Sequence, residues 1–249
     1  MSGHSKWSTI KRKKGAADAK RGKIFTKLIR EIATAARMGG GDVDSNPRLR
    51  LSCERARSAN MPKDNIERAI AKGTGAGEGE AYEEVVYEGY GPGGVAVYIE
   101  ALTDNKNRTV GDVRHILTKH GGNLGASGCV SYLFEKRGVL SFDRARVDAD
   151  KLLEAALEAG ADDVIEDDTH IDVVIALTGF ESLKRELLAA GFEPERAGIE
   201  MEPTATVAVG GAEAESMLSL GDALDDLDDV QHVYANFDIS DEEMARIAG

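Results

Sequence analysis

The sequence predicts an α+β protein: an N-terminal three-helix domain followed by two ferredoxin-like βαββαβ domains, one inserted in the other. Three observations lead there. Charge is divided by position, since Met1 to Lys72 holds 18 Lys plus Arg against 7 Asp plus Glu, a net of +11, whereas Gly73 to Gly249 holds 13 against 37, a net of −24. Apolar residues recur at helical spacing in the first of these segments and alternate in the second. The order strand, helix, strand, strand, helix, strand then occurs twice, one copy lying within the other.

The clearest helix covers 16 to 38, where Ile24, Leu28, Ile29, Ile32 and Ala36 recur at three and four and Gly39-Gly40-Gly41 ends the run. At 100° per residue Lys20, Lys23, Lys27 and Arg30 fall within about 80° of one another, opposite that apolar stripe. A second helix is expected from Asn46 to Ala59 with Pro47 at its first position, and a third from Pro62 or Lys63 to Lys72. The alternating glycines of 73 to 80 read as a flexible linker and place the first boundary.

Strands are expected near 85–90, 95–102, 128–134, 138–142, 164–166, 171–177, 194–201, 204–209 and 230–237, with helices at 107–119, 149–159, 180–190 and 212–227. Residues 138 to 202 form one complete βαββαβ unit. Removing them leaves strands 95–102, 128–134, 204–209 and 230–237 with their two helices as a second. The predicted domains are 1–78, basic and helical; 79–136 with 203–249, discontinuous α+β; and 137–202, the inserted ferredoxin-like unit. A chain of 249 residues suits two or three such domains.

Composition narrows the function. No apolar run approaches the ~20 residues that cross a bilayer, and the basic start has no apolar stretch of a secretory signal behind it. A soluble, cytoplasmic protein is expected, with no membrane partner. The two cysteines, Cys53 and Cys129, make no Cys-x-x-Cys, which argues against a disulfide framework and structural zinc. His4, His115, His120, His170 and His232 have no metal-ligand spacing, so no metal and no cofactor are expected. The glycines at 73–79, 89–94 and 121–128 lack the strand-before, helix-after context of a phosphate loop and read as turns and caps. Cys53 has no base or orienting group near it in sequence and reads as a structural helix cysteine. No catalytic residue and no small-molecule substrate emerge, and a non-enzyme is expected.

The basic head remains. Lys6, Lys11, Arg12, Lys13, Lys14, Lys20, Arg21, Lys23, Lys27 and Arg30, supported by Arg48, Arg50, Arg55 and Arg57, are the candidate nucleic-acid contacts. Cations registered on one face of an amphipathic helix suit a phosphate backbone, and no base-reading code accompanies them. The aspartates Asp222, Asp225, Asp226, Asp228 and Asp229 read first as a solvated acidic face. A second reading has them repel nucleic acid or contact the basic head.

The segments Gly3-His-Ser-Lys-Trp7, Lys20 to Ile32, Asn46-Pro-Arg-Leu-Arg50, Asn60 to Ile70, Tyr87 to Val95, Leu102-Thr-Asp-Asn-Lys-Asn-Arg-Thr109 and Asp225 to Phe237 resemble the YebC family along the whole chain. Val43 stands where that family usually has proline, and Cys129 where serine is common. The resemblance implies a helical N-terminal domain and two α+β domains, and a cytoplasmic DNA-binding transcriptional regulator. Family members are also linked to translation at the ribosome, which gives an alternative: a translation factor that binds ribosomal or transfer RNA through the same head. In that alternative the loops Gly89 to Gly94, Asp104 to Arg108 and Gly121 to Gly128 would probe a functional centre.

Overall fold

The computed structural model describes residues 21–75 and 82–248. The helical start and the α+β remainder expected from the sequence are both present. The chain divides into two compact units, one running to Phe134 and resuming at Pro203, the other spanning Glu135–Glu202.

In the first unit, α1 (Arg21–Gly39), α2 (Pro47–Ser58) and α3 (Lys63–Gly73) enclose Leu28, Ile32, Ala36, Leu49, Cys53, Met61, Ile66 and Ala69. Residues 16–20 of the expected first helix lie outside the described residues. Asn46 determines how α1 meets α2. Its side-chain oxygen accepts the Leu49 N–H at 3.1 Å and caps α2, while its amide nitrogen donates to the carbonyls of Ala35 at 2.9 Å and Gly40 at 2.8 Å. One buried amide therefore satisfies the start of α2 and the otherwise unpaired end of α1. Gly73 is the close contact of α3 with α1, since a Cβ there would run into the Ala33 carbonyl.

The remainder of this unit is built on a four-stranded antiparallel sheet whose strands lie in the order 123–124, 83–90, 96–103 and 230–235. Strands β1 (Glu83–Tyr90) and β2 (Ala96–Thr103) form an eight-residue hairpin, joined by a turn in which Gly93 and Gly94 have φ of 69° and 75°. A β-carbon disfavours that region, so glycine suits both positions. Helix α4 (Lys106–Lys119) leads to β3 (Asn123–Leu124), which pairs with β1. After the insertion come β8 (Val207–Ala208), α7 (Gly211–Asp225), β9 (Val230–Ala235), β10 (Phe237–Asp238) and α8 (Asp241–Ala248). Val97, Ile99 and Ala101 of β2 share a core with Val113 and Leu117 of α4, Met217, Leu220 and Leu224 of α7, and Val233 of β9. Where the chain leaves and returns, the Thr204 N–H donates to the Leu133 carbonyl at 2.8 Å.

Two strand expectations change here. The second central position of the sheet is filled by β1, not by 204–209, of which only Val207–Ala208 is extended, pairing in parallel with β10. A hairpin partner five residues away outcompetes one a hundred residues away because its loop costs less entropy to close. Residues 128–133 are turn and 3₁₀ helix, and extended structure begins at Phe134. The cause is Glu88 on β1. Its buried carboxylate accepts the N–H groups of Gly128 at 2.7 Å and of Val130 and Ser131 at 2.8 Å, so donors that a strand would present to a ladder are used by a side chain. Burial alone would raise the Glu88 carboxyl, but these backbone hydrogen bonds outweigh it and hold it below the usual range.

The second unit runs β4 (Phe134–Asp143), α5 (Ala149–Glu158), β5 (Asp163–Glu166), β6 (His170–Ala176), α6 (Phe180–Ala189) and β7 (Arg196–Pro203), in sheet order β5-β6-β4-β7. The pairs β4–β6 and β5–β6 are antiparallel, which is the ferredoxin-like arrangement read from the sequence. Leu140 and Phe142 of β4, Ile171 and Val173 of β6, Leu152 of α5 and Leu183 and Leu187 of α6 are fully buried or nearly so.

Substitutions at Asn46 separate its two roles. Asn46→Ser keeps an oxygen for the cap and loses both donations, whereas Asn46→Ala loses everything. Urea unfolding is expected to show about 1 kcal/mol lost for the first and about 2 to 3 kcal/mol for the second.

Candidate nucleic-acid interface

Of the candidate contacts, the structure describes the α1 stripe and the supporting arginines. Lys6, Lys11, Arg12, Lys13, Lys14 and Lys20 lie outside the described residues, as does the side chain of Arg21. The α1 stripe, Lys23, Lys27 and Arg30, is engaged by acidic partners. It lies along the end of α7 and the residues that follow.

Lys23 Nζ is 3.1 Å from Asp226 Oδ1 and donates to the Asp226 carbonyl at 3.2 Å. One turn on, Lys27 Nζ donates to the Asp225 carbonyl at 2.7 Å and sits 3.9 Å from Asp225 Oδ1. Arg30 Nη1 donates to Asp229 Oδ1 and, at 3.1 Å, to the Leu102 carbonyl. Two ammonium groups thus cap the last carbonyls of a helix whose negative dipole end already carries several aspartates, the sign that electrostatics there requires. Exposure falls along the row: the Lys23 side chain is 44% exposed, Lys27 16% and Arg30 13%.

Asp229 is the inner end of this row. Its Oδ2 accepts from Thr109 Oγ1 at 2.6 Å, Arg108 Nη2 at 2.7 Å and Thr103 Oγ1 at 3.1 Å, while Oδ1 takes Arg30. Arg108 also reaches Asp104 Oδ1 at 2.7 Å. Asn105 caps α4 by accepting the Arg108 N–H, and its own N–H donates to Thr103 Oγ1 at 2.9 Å. Burial alone would push the Asp229 carboxyl up. The hydrogen bonds from Thr109, Arg108 and Arg30 outweigh it and hold it at about 2.

The supporting arginines are held on the head itself or at its edge. Arg55 Nη1 lies 3.0 and 3.1 Å from the two Glu31 oxygens. Arg50 donates to the Asp44 carbonyl at 3.2 Å, Arg48 pairs with Glu84, and Arg57 is exposed. Beside them Tyr82 receives two cations over its ring, Arg30 at 5.2 Å and Lys72 at 4.9 Å from the centroid, and its carbonyl accepts from Arg37. Sequence reading missed Tyr82, Thr103, Thr109 and the pairing of Arg108 with Asp229. The only sequence signal for the α1–α7 pairing was the opposite charge of two distant segments.

The three loops do not converge. The turn 91–94 and the loop 121–128 are neighbours, because β3 pairs with Gly89 and Tyr90 and the Gly125 N–H donates to the Glu88 carbonyl at 2.8 Å. Asp104 to Arg108 lies at the other end of the hairpin, where Thr103 pairs with Glu83. Eight residues of strand set the two ends roughly 25 Å apart. Cys53 is fully buried and its thiol is pushed up by that burial, as suits a packed helix residue. Among the described residues no group of three or more His, Cys, Asp or Glu is arranged to hold a metal ion, and no helix is long and apolar enough to cross a membrane.

Two family models match: the TACO1/YebC protein N-terminal domain over residues 5–76, and the TACO1/YebC second and third domain over residues 82–237. The chain belongs to the TACO1/YebC family. This YebC-family protein is 60% identical to a protein of Trichlorobacter lovleyi over 99% of its own length and 100% of the relative's, and 58% identical to one of Syntrophus aciditrophicus over the whole of both. Each is named a probable transcriptional regulatory protein, and a regulatory role is supported accordingly. The crystal structure of a conserved hypothetical protein, Aq1575, from Aquifex aeolicus is similar with a TM-score of 0.85 at 51% identity, covering 90% of this chain and 93% of that one.

Because the Asp229 carboxyl titrates lower in the folded protein than its ordinary 3.8, its contribution is complete above that value and is lost as pH falls through about 2. The stability gap between wild type and Asp229→Asn is expected to narrow by about 2 kcal/mol between neutral pH and pH 2, read by urea unfolding at each pH. A gap independent of pH would show that Asp229 is not ionised against these donors.

Proposed function

We propose that this YebC-family protein is a non-enzymatic, cytoplasmic regulator of transcription that binds DNA through its N-terminal region, residues 1–78. The observation that carries the reading is the division of charge, net +11 in Met1 to Lys72 against −24 in the rest. A polyanion is attracted to the first and repelled by the second. Lys6, Lys11, Arg12, Lys13, Lys14, Lys20 and Arg21 supply the initial grip, with Arg48, Arg50 and Arg57 beside them. Arg30 and Arg55, each paired with a carboxylate, set the orientation of the head. Contacts of this kind recognise phosphate spacing and duplex shape, so affinity is strong at low salt and tolerant of sequence. No cofactor, small-molecule substrate or membrane enters the reading. The names of the relatives support regulation.

A second reading, a translation factor binding ribosomal or transfer RNA through the same head, draws on one observation. The turn 91–94 and the loop 121–128 lie together at one end of the sheet, and Tyr132, 71% exposed, follows that loop. Such a tip suits insertion into a structured RNA site better than contact with a duplex surface.

Ultraviolet crosslinking in living cells, with sequencing of the recovered DNA and RNA, separates the two. DNA is expected to dominate over RNA, and the purified protein is expected to lose affinity with a log–log salt slope of about −5 if six phosphates are engaged. Recovery dominated by ribosomal or transfer RNA would overturn the DNA reading in favour of the second. Charge reversal at Lys11, Lys13 and Lys14 is expected to abolish either form of binding with unchanged circular dichroism.

A further inference from the structure

The acidic exit of α7 occupies the same cations that a nucleic acid would seek. Asp225 and Asp226 offer both carboxylates and main-chain carbonyls to Lys27 and Lys23, at 2.7 to 3.9 Å. The two side chains leave α1 one helical turn apart, about 6 Å between their Cβ atoms, so they can follow successive phosphates along a nucleic-acid strand. We propose that this exit is a built-in competitor for the polyanion: it masks Lys23 and Lys27 in the unbound protein and is displaced when phosphates take its place. The inference rests on the head being the nucleic-acid-binding region.

The graded exposure of the row gives the displacement its direction. The Lys23–Asp226 pair is open to water on both sides, 44% and 61% exposed, and exposed ion pairs are weak and screened by salt. Lys27 and Asp225 are 16% and 12% exposed and hold more firmly. Arg30 is anchored to Asp229, which also binds Arg108, Thr103 and Thr109, and this node stays closed. The outer Lys23–Asp226 pair therefore opens first and Lys27–Asp225 next, around a fixed Arg30. Binding then requires a ligand that outcompetes two carboxylates at once, which favours a continuous phosphate backbone over single anions.

The test uses full-length protein, with fluorescence anisotropy against a short DNA duplex and against a structured RNA hairpin. Asp225→Asn/Asp226→Asn opens the row. Glu213→Gln/Asp228→Asn removes the same amount of charge from two exposed residues of the same region and serves as the control. The first variant is expected to bind about fivefold more tightly than the control. Lys23→Gln/Lys27→Gln breaks the same contacts yet is expected to bind more weakly than wild type, an opposition in sign that a purely structural contact would not produce. On adding duplex to wild type, hydrogen exchange is expected to rise across residues 222–228 and to stay constant at 229 and 230. Equal affinity of the first variant and its control, with binding still lost on reversing Lys11, Lys13 and Lys14, would overturn the competitor and leave the head as the binding region. Binding insensitive to that reversal would remove the head as the binding region, and the competitor with it.

Discussion

The geometry of the first unit depends on one buried carboxylate. Asp229 sits between α7 and β9 and takes donors from Arg30 of α1, from Thr103 at the end of β2, and from Arg108 and Thr109 of α4. A desolvated carboxylate is tolerated only when its lone pairs are filled by charged or well-aligned donors. Four donors from three parts of the chain meet that demand, so the helical head, the hairpin and α4 are fixed to a common point. The main chain joins in, with the Leu102 N–H donating to the Asp229 carbonyl at 2.8 Å. Removing any one partner leaves the others facing an under-satisfied charge, which ties the orientation of the head to the integrity of the sheet.

Local signals in the sequence were enough for most elements. Asn46-Pro47 reads directly as a helix start, the glycines after α1 as its end, and the alternation in β4, β6 and β9 as strands. The two misreadings share a physical cause. Period and propensity report how one segment would sit on a surface, whereas pairing depends on what else competes for its donors. Residues 128–131 have the composition of a strand, but the carboxylate that captures their N–H groups lies 40 to 43 residues earlier. Likewise, 204–209 alternates well, yet the position it would have filled goes to the nearer strand β1.

For the candidate site the sequence disclosed the cations and their common face, and its second reading of the aspartates, a contact with the basic head, is the one the Lys23–Asp226, Lys27–Asp225 and Arg30–Asp229 pairs bear out. Lys23 and Asp226 are 203 residues apart, and only their opposite charges connected them. In the translation alternative the segment Asp104 to Arg108 reads as a loop that would probe a functional centre. Its polar residues instead cap α4 and converge on Asp229. Helix capping and buried hydrogen bonding draw on the same residue types as recognition does, and composition alone does not separate the two uses.

The order of synthesis adds a constraint of another kind. Arg30 precedes its acidic partner by 199 residues, so at 5 to 20 residues per second the cationic head exists for about 10 to 40 s before that partner has been made. During that interval α1 has an apolar face that α2 and α3 can cover and a cationic face with its carboxylates still untranslated. The nascent head is thus a polycation held close to the most abundant polyanion in any cell, the ribosome that is making it. Completion of α7 and its exit supplies Asp225, Asp226 and Asp229 as partners for that face.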